Sequence, residues 1–204
     1  MTNEYFGGLD FGSSGARISI IDKSKEIIFE DSCIYNYEFK NPEGWINSCI
    51  KLFEGIPIKI KIHLSRLSIS GTSGTLVPCG SNGNNLGDSI PYNEACTTNS
   101  KKLKLIAGGD KFLNNPYSSL AKAIKLIDIF GDDIILRHQA DWISGWFLND
   151  WSFGEEGNNV KLGWNIENKS WPESFESFSL TKSIPVIKKS GSILGKINQS
   201  IANL

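Results

Sequence analysis

Excess charge is missing from this chain: 21 Lys and Arg stand against 22 Asp and Glu, a formal net charge of −1. Without a basic surplus there is no electrostatic footing for capture of nucleic acid or of an anionic membrane. Long apolar runs are missing too, and no segment approaches bilayer-spanning length. The polar start from Met1 to Glu4 lacks a secretory-signal pattern. Histidine is scarce, and His63 and His138 have no metal-ligand spacing between them. Cys33, Cys49, Cys79 and Cys96 are widely spaced, with no Cys-x-x-Cys pair. Reduced, buried or incidental thiols are therefore expected, not a zinc site or disulfide framework. Together these absences make a cytoplasmic location the expectation. Two common phosphate loops are also lacking: there is no Gly-x-x-x-x-Gly-Lys-Ser/Thr, and no Gly-x-Gly-x-x-Gly opening a helix.

What is present is an ordinary globular composition, 40% hydrophobic and 21% charged over 204 residues. That length can bury a sizeable core and is expected to form one domain, with no linker, repeat or low-complexity stretch to divide it. Alternation predicts strands near 4–10, 15–22 and 26–36, then 65–70 and 74–79. Pro42 opens a helix whose Trp45, Ile46, Cys49, Ile50 and Phe53 keep helical spacing, and Pro57 ends that region. Further helices are expected near 97–107, 117–130 and 139–149, with a short one starting at Pro172. His63 reads as part of a Lys- and Ile-rich strand, and His138 as the start of a helix. Trp142 and Trp146 share a helix face and read as core, while Lys101, Lys102 and Lys104 read as a solvated face. Strand and helix alternation with early hairpins indicates an α/β domain around a mixed sheet.

The segment Tyr5 to Asp22, YFGGLDFGSSGARISIID, reads as two strands around a glycine-rich turn. Amide groups of such a turn can converge on phosphate oxygens, and a nearby Asp can hold a metal or its water. An ordinary hairpin with a solvated Asp10 explains the same residues equally well.

Later segments add weight to the first reading. LDFGSSGARISIID resembles the first phosphate hairpin of sugar kinases in the actin and Hsp70 superfamily. RLSISGTSGTLV, from Arg66, resembles the second hairpin of FGGY carbohydrate kinases, and SIPYNEA, from Ser89, the segment that follows it. SSLAKAIKL, from Ser118, resembles the next helix. HQADWISGWFLN, from His138, and GNNVKLGW, from Gly157, resemble H-Q-A-D-W-L-x-G and N-N-x-x-K-L-G-Y of the ribulokinase- and xylulokinase-like branch. The close, Ser190 to Leu204, resembles the end of that family's first domain. The ordered set is similar to the N-terminal, sugar-binding domain of FGGY kinases across residues 1–204, without the C-terminal nucleotide-binding domain. The resemblance implies the ribonuclease H-like fold and ATP-dependent phosphorylation of a ketopentose or related polyol. ATP and Mg2+ are implied for the intact family, with tight binding not expected of this chain alone.

Site residues follow from the same match. Asp10 stands at the family's metal- and phosphate-facing carboxylate, with Gly12, Ser13 and Ser14 facing the phosphates. Thr72, Ser73, Tyr92, Asn93 and Glu94 stand at sugar-facing positions, although Ser70 and Glu94 replace Asp. Counting without gaps from Trp146 to Lys161 puts Glu155 at the catalytic base, again in place of Asp, and Glu156 follows it. Glu is chemically suited to that role, since its ordinary pKa of about 4.3 is close to the ~3.9 of Asp. Its extra methylene demands a shifted backbone to bring the carboxylate to the same point. As charges on a surface loop, Glu155 and Glu156 need no catalytic role at all. Two alternatives stand beside the kinase: a noncatalytic sugar-binding or regulatory half-protein, and a subunit paired with a separate nucleotide-binding chain. Self-association or such a partner is expected to use the C-terminal Ile193, Leu194, Ile197, Ile201 and Leu204.

Overall fold

Alternating apolar residues Leu9 and Phe11 on one strand and Ala16, Ile18 and Ile20 on the next all end up buried, which is what a sheet with one covered face requires. The computed structural model describes residues 4–203, and these fall into two units, 1–72 with 197–204 and 73–196.

The first unit holds β1 (Tyr5–Phe11), β2 (Gly15–Ile21), β3 (Ile27–Ile34) and β4 (Leu64–Gly71) in one mixed sheet of order β3-β2-β1-β4. β1 and β2 form an antiparallel hairpin in which Asp10 faces Arg17, and β4 joins β1 in parallel with Ser70 beside Asp10. Helix α1 (Pro42–Gly55) starts where the sequence marks it: the Asn41 side chain accepts from the Glu43 amide, and proline takes the first turn. Its Trp45, Cys49 and Leu52 are buried, and the helix packs on β2 and β3. A short helix α2 (Ile58–Lys61) occupies the stretch expected as a Lys- and Ile-rich strand, and His63 follows it. Pro57 supplies its N-cap position, so the proline that ends one helix also starts another.

In the second unit β5 (Leu76–Cys79) pairs antiparallel with β6 (Ile135–His138). Helices α3 (Ser100–Ala107) and α4 (Ser119–Phe130) lie between them in sequence. After β6 come α5 (Gln139–Leu148), β7 (Phe153–Glu155), α6 (Glu156–Asn159), a 3-10 turn at Val160–Leu162, α7 (Ser174–Ser177) and β8 (Val186–Lys188). β7 and β8 pair in parallel. A last short helix, α8 (Gln199–Ala202), belongs to the first unit. Leu103, Ile106, Leu120, Ile124, Leu136 and Phe175 belong to the core of the second. Trp142 is buried there, as its place on the apolar face predicts, and its indole donates to the Gly83 carbonyl at 3.1 Å.

One expected pairing is corrected. The segments on either side of Gly71 to Thr75 do not form a hairpin with each other: β4 pairs with β1, and β5 with β6. The other side of β5 is taken by Ile90, which exchanges amide–carbonyl bonds of 3.0 and 2.8 Å with Leu76. A strand with both sides occupied has no edge to offer β4. All four cysteines are free and buried, as expected. No helix among the described residues is long and apolar enough to cross a membrane.

Candidate functional site

Each unit gathers part of the predicted residue set. In the first, Asp10 is the penultimate residue of β1, and its carboxylate lies 3.2 Å from the Arg17 guanidinium on β2. The turn beyond it is tight: the Gly12 amide donates to the Gly15 carbonyl at 2.9 Å. Tyr35 fastens that turn from β3's side, its hydroxyl donating to the Gly12 carbonyl at 2.9 Å and its amide to the Ser14 carbonyl at 3.1 Å. Burial pushes the Tyr35 phenol above its ordinary pKa, with Cys33 and Asp10 adding to the effect, so it stays a donor. Ser13 and Ser14 are exposed, and their amides donate no hydrogen bond among the described residues. Parallel pairing brings Ser70 and Gly71 level with Asp10 and Phe11, and Thr72 follows directly. Carboxyl ends of adjacent parallel strands are a common place for ligands in α/β sheets.

This donor set fits a phosphate oxygen, because two unengaged amides and two hydroxyls sit on a rigidly held turn. It fits a metal ion only through water: among the described residues no group of three or more His, Cys, Asp or Glu could hold one.

In the second unit one short helical segment carries Glu155 at its start and Lys161 near its end. Glu155 ends β7 and caps α6, its carboxylate accepting from the Gly157 amide at 2.8 Å and the Asn158 amide at 2.7 Å. The Ser190 hydroxyl also donates to it. Partial burial pushes the Glu155 pKa up, but the Ser190 hydroxyl and the two amides outweigh it, with His138 contributing, and the net shift is downward. Glu155 is thus ionised at neutral pH, with its oxygens engaged as helix-capping acceptors. Glu156 accepts from the Ser190 amide at 3.1 Å.

At the far end of the same segment Lys161 reaches across the chain to the Ser73 carbonyl, 3.1 Å away. Glu155 and Lys161 are six positions apart, roughly 9–12 Å at helical rise. The Tyr92 amide donates to the Thr75 hydroxyl at 3.1 Å, which ties the Tyr92 turn to the Ser73 strand entry. Tyr92, Asn93 and Glu94 are exposed, and Glu94 is bonded to Lys125 at 3.0 Å. Ser73 is thus tied to the segment that Glu155 caps through Lys161, and Tyr92 to the Ser73 stretch through Thr75.

Sequence reasoning missed four residues here. Lys122 is fully buried, its ammonium donating to the Tyr117 carbonyl at 2.7 Å and the Tyr92 carbonyl at 3.3 Å. Burial pushes its pKa down to about 8, and Lys161 nearby pushes the same way. The available signal was a lysine inside the apolar run Leu120 to Ile124. Lys161 stood in a matched segment but was read only as a landmark. Asp141 and Asn159 are buried and bonded to each other at 3.1 Å; both lie in matched segments, Asp141 inside an expected helix and Asn159 as a motif position given no role. His138 is buried, with Nε2 3.0 Å from the Ser119 hydroxyl and Nδ1 3.8 Å from Asp141.

No protein-family profile matches the chain. Its fold is that of carbohydrate kinases, the class expected from the sequence. The chain superposes on a xylulose kinase from Rhodospirillum rubrum with a TM-score of 0.84 and 12% identity, over 98% of this chain and 46% of that one. A glycerol kinase from Plasmodium falciparum, solved with ADP, gives 0.77 and 14% over 98% and 46%. A gluconate kinase from Lactobacillus acidophilus gives 0.79 and 12% over 98% and 45%. The chain thus spans about half the length of the kinases it resembles.

Proposed function

We propose that residues 1–204 form the sugar-binding lobe of an FGGY-type carbohydrate kinase of ribonuclease H-like architecture, acting in the cytoplasm on a ketopentose or related polyol. The observation that carries this reading is the structural likeness over 98% of the chain to a xylulose kinase. The Lys161 bond to the Ser73 carbonyl, which joins two of the matched segments, supports it as well.

In this reading Thr72, Ser73, Asn93 and Glu94 hydrogen-bond the sugar, and Tyr92 forms an apolar wall. A sugar hydroxyl attacks the γ-phosphorus of ATP; the new O–P bond forms as the bond to the bridging oxygen of ADP breaks. The hydroxyl proton passes to Glu155, whose ionised state suits a base. Accepting it requires the carboxylate to give up part of its hold on the Gly157 and Asn158 amides. Ser13 and Ser14 donate to phosphate oxygens, while Gly12, expected to face them too, has its amide engaged with the Gly15 carbonyl and shapes the turn instead. Bound Mg2+ would supply neutralising charge, and Asp10 would hold it through water. Phosphotransfer also needs a nucleotide-binding lobe, and the exposed Ile193 and Leu194 support the proposal that a partner chain, or a second copy, covers this apolar stretch of the second unit.

Calorimetry of the full chain with D-xylulose, glycerol and D-gluconate tests the reading. Saturable binding of one of them, weakened at least tenfold in an Asn93→Ala and Glu94→Ala double variant, is expected, with no turnover on adding ATP and Mg2+. Absence of binding by all three would overturn it.

A further inference from the structure

We infer that Asp141 and Asn159 are positioning residues for Glu155: together they hold the peptide groups on both sides of it and so fix where its carboxylate stands. The inference deepens the kinase reading and rests on it for the role of Glu155, although the clamp itself is a matter of geometry.

The bonds form a closed set. The Glu155 amide donates to Asp141 Oδ1 at 3.0 Å. The Glu155 carbonyl accepts from Asn159 Nδ2 at 2.8 Å. That same Nδ2 donates its other hydrogen to Asp141 Oδ2 at 3.1 Å. One carboxylate thus spends both oxygens on Glu155 and on the residue that holds Glu155. Both clamp residues are buried, at 7% and 0% exposure, where bonds to an ionised acceptor are strong and a lost partner is costly.

The surroundings are shaped to admit the clamp. Gly154 precedes Glu155, and a Cβ there would lie 2.7 Å from Asn159 Nδ2 and 2.5 Å from the Pro185 ring. Any side chain at 154 would push Asn159 away. Asp141 occupies the first turn of α5, where an acidic residue is favoured by the helix dipole. Glu155 therefore has its backbone fixed from α5 and from α6, while its side chain caps α6. This meets the geometric demand that a longer Glu makes at an Asp position: the backbone is set by two buried residues and not left to a mobile loop.

The test reads Glu155 directly, with no sugar required. Carboxyl carbon NMR of the full chain follows the Glu155 titration, and amide exchange follows residues 155 and 157. In the unmodified chain Glu155 titrates below an ordinary glutamate, and its amide exchanges slowly. In Asp141→Asn an amide group replaces one acceptor, and in Asn159→Ser the reach to the Glu155 carbonyl is lost. In Asn159→Ser, which leaves the Asp141 charge in place, the Glu155 titration should move up toward the ordinary value. In Asp141→Asn, where loss of a neighbouring negative charge pulls it down, it should shift as well. In either variant the Glu155 amide should exchange about tenfold faster or more, the scale set by one bond to a charged group. The exchanged pair, Asp141→Asn with Asn159→Asp, remakes the side-chain bond but sets a carboxylate against the Glu155 carbonyl. It should recover stability without recovering the titration. A purely structural role predicts that both recover together, and that result overturns the inference. So does a folded single variant with Glu155 unchanged. Should Asp141→Asn fail to fold, Asn159→Ser and the exchange rate of the unmodified Glu155 amide decide, and a fast-exchanging amide there counts against the clamp. Loss of polyol binding in the unmodified chain with these NMR results intact would remove the kinase reading alone.

Discussion

Replacing Glu155 by glutamine separates ionisation from helix capping. Its folded pKa lies below the unfolded value, so the ionised form contributes stability above the unfolded pKa, and that contribution is lost as pH falls through the folded one. Urea unfolding between pH 6 and 3 should show a steeper acid loss for the unmodified chain than for Glu155→Gln. Glu155→Ala, which removes the cap as well, should cost about 1 kcal/mol at pH 7. Lys122 gives a slope of the same sign in a more alkaline window. Its pKa is depressed to about 8, so the unfolded chain binds more protons up to its ordinary value of about 10.4. Stability from this group therefore rises with pH across that window. Lys122→Met should flatten the rise, measured as denaturation midpoints from pH 7.5 to 10.5.

At the scale of elements, the β2–β3 pairing depends on a missing side chain. A Cβ on Gly15 would lie 2.3 Å from the Cys33 carbonyl oxygen and 3.2 Å from the Ile34 Cα, both backbone atoms that cannot swing aside. Gly15→Ala should destabilise the chain by about 1–3 kcal/mol, the range for overpacking. Gly109→Ala, where nothing lies within 4 Å, should stay within about 0.5 kcal/mol, and thermal unfolding compares the two. The elements that could be read from sequence are those with local signals. Alternation marked β1 and β2, the Asn41-Pro42 cap marked α1, and helical spacing with Ser118 marked α4. The unread ones, β6, β7 and β8, are three or four residues long, too short for a period to show. Pairing partners were not legible either, since Ile90 takes the side of β5 that adjacency in sequence would give to β4. Site residues divided in the same way. Ser73, Tyr92 and Glu155 stood in motif positions, whereas Asp141 and Asn159 act through buried bonds that exist only once α5 and α6 are placed.

For the whole molecule, tryptophan is unevenly spread: Trp45 lies in the first unit, and Trp142, Trp146, Trp151, Trp164 and Trp171 in the second. Fluorescence therefore reports mainly the second unit, while far-ultraviolet dichroism reports both. The single-domain proposal predicts coincident urea transitions by the two probes, and separated midpoints would count against it. The cysteines supply a finer instrument. Cys33 and Cys49 belong to the first unit, Cys79 and Cys96 to the second, and all four are buried. Burial raises the Cys49 and Cys96 thiols and pushes Cys79 up to about 12, which suppresses the thiolate that alkylating reagents attack. An intact-mass time course under native conditions would thus act as a two-handed clock. Tags arriving as a pair identify one half opening alone, and four arriving together time the release of the whole chain.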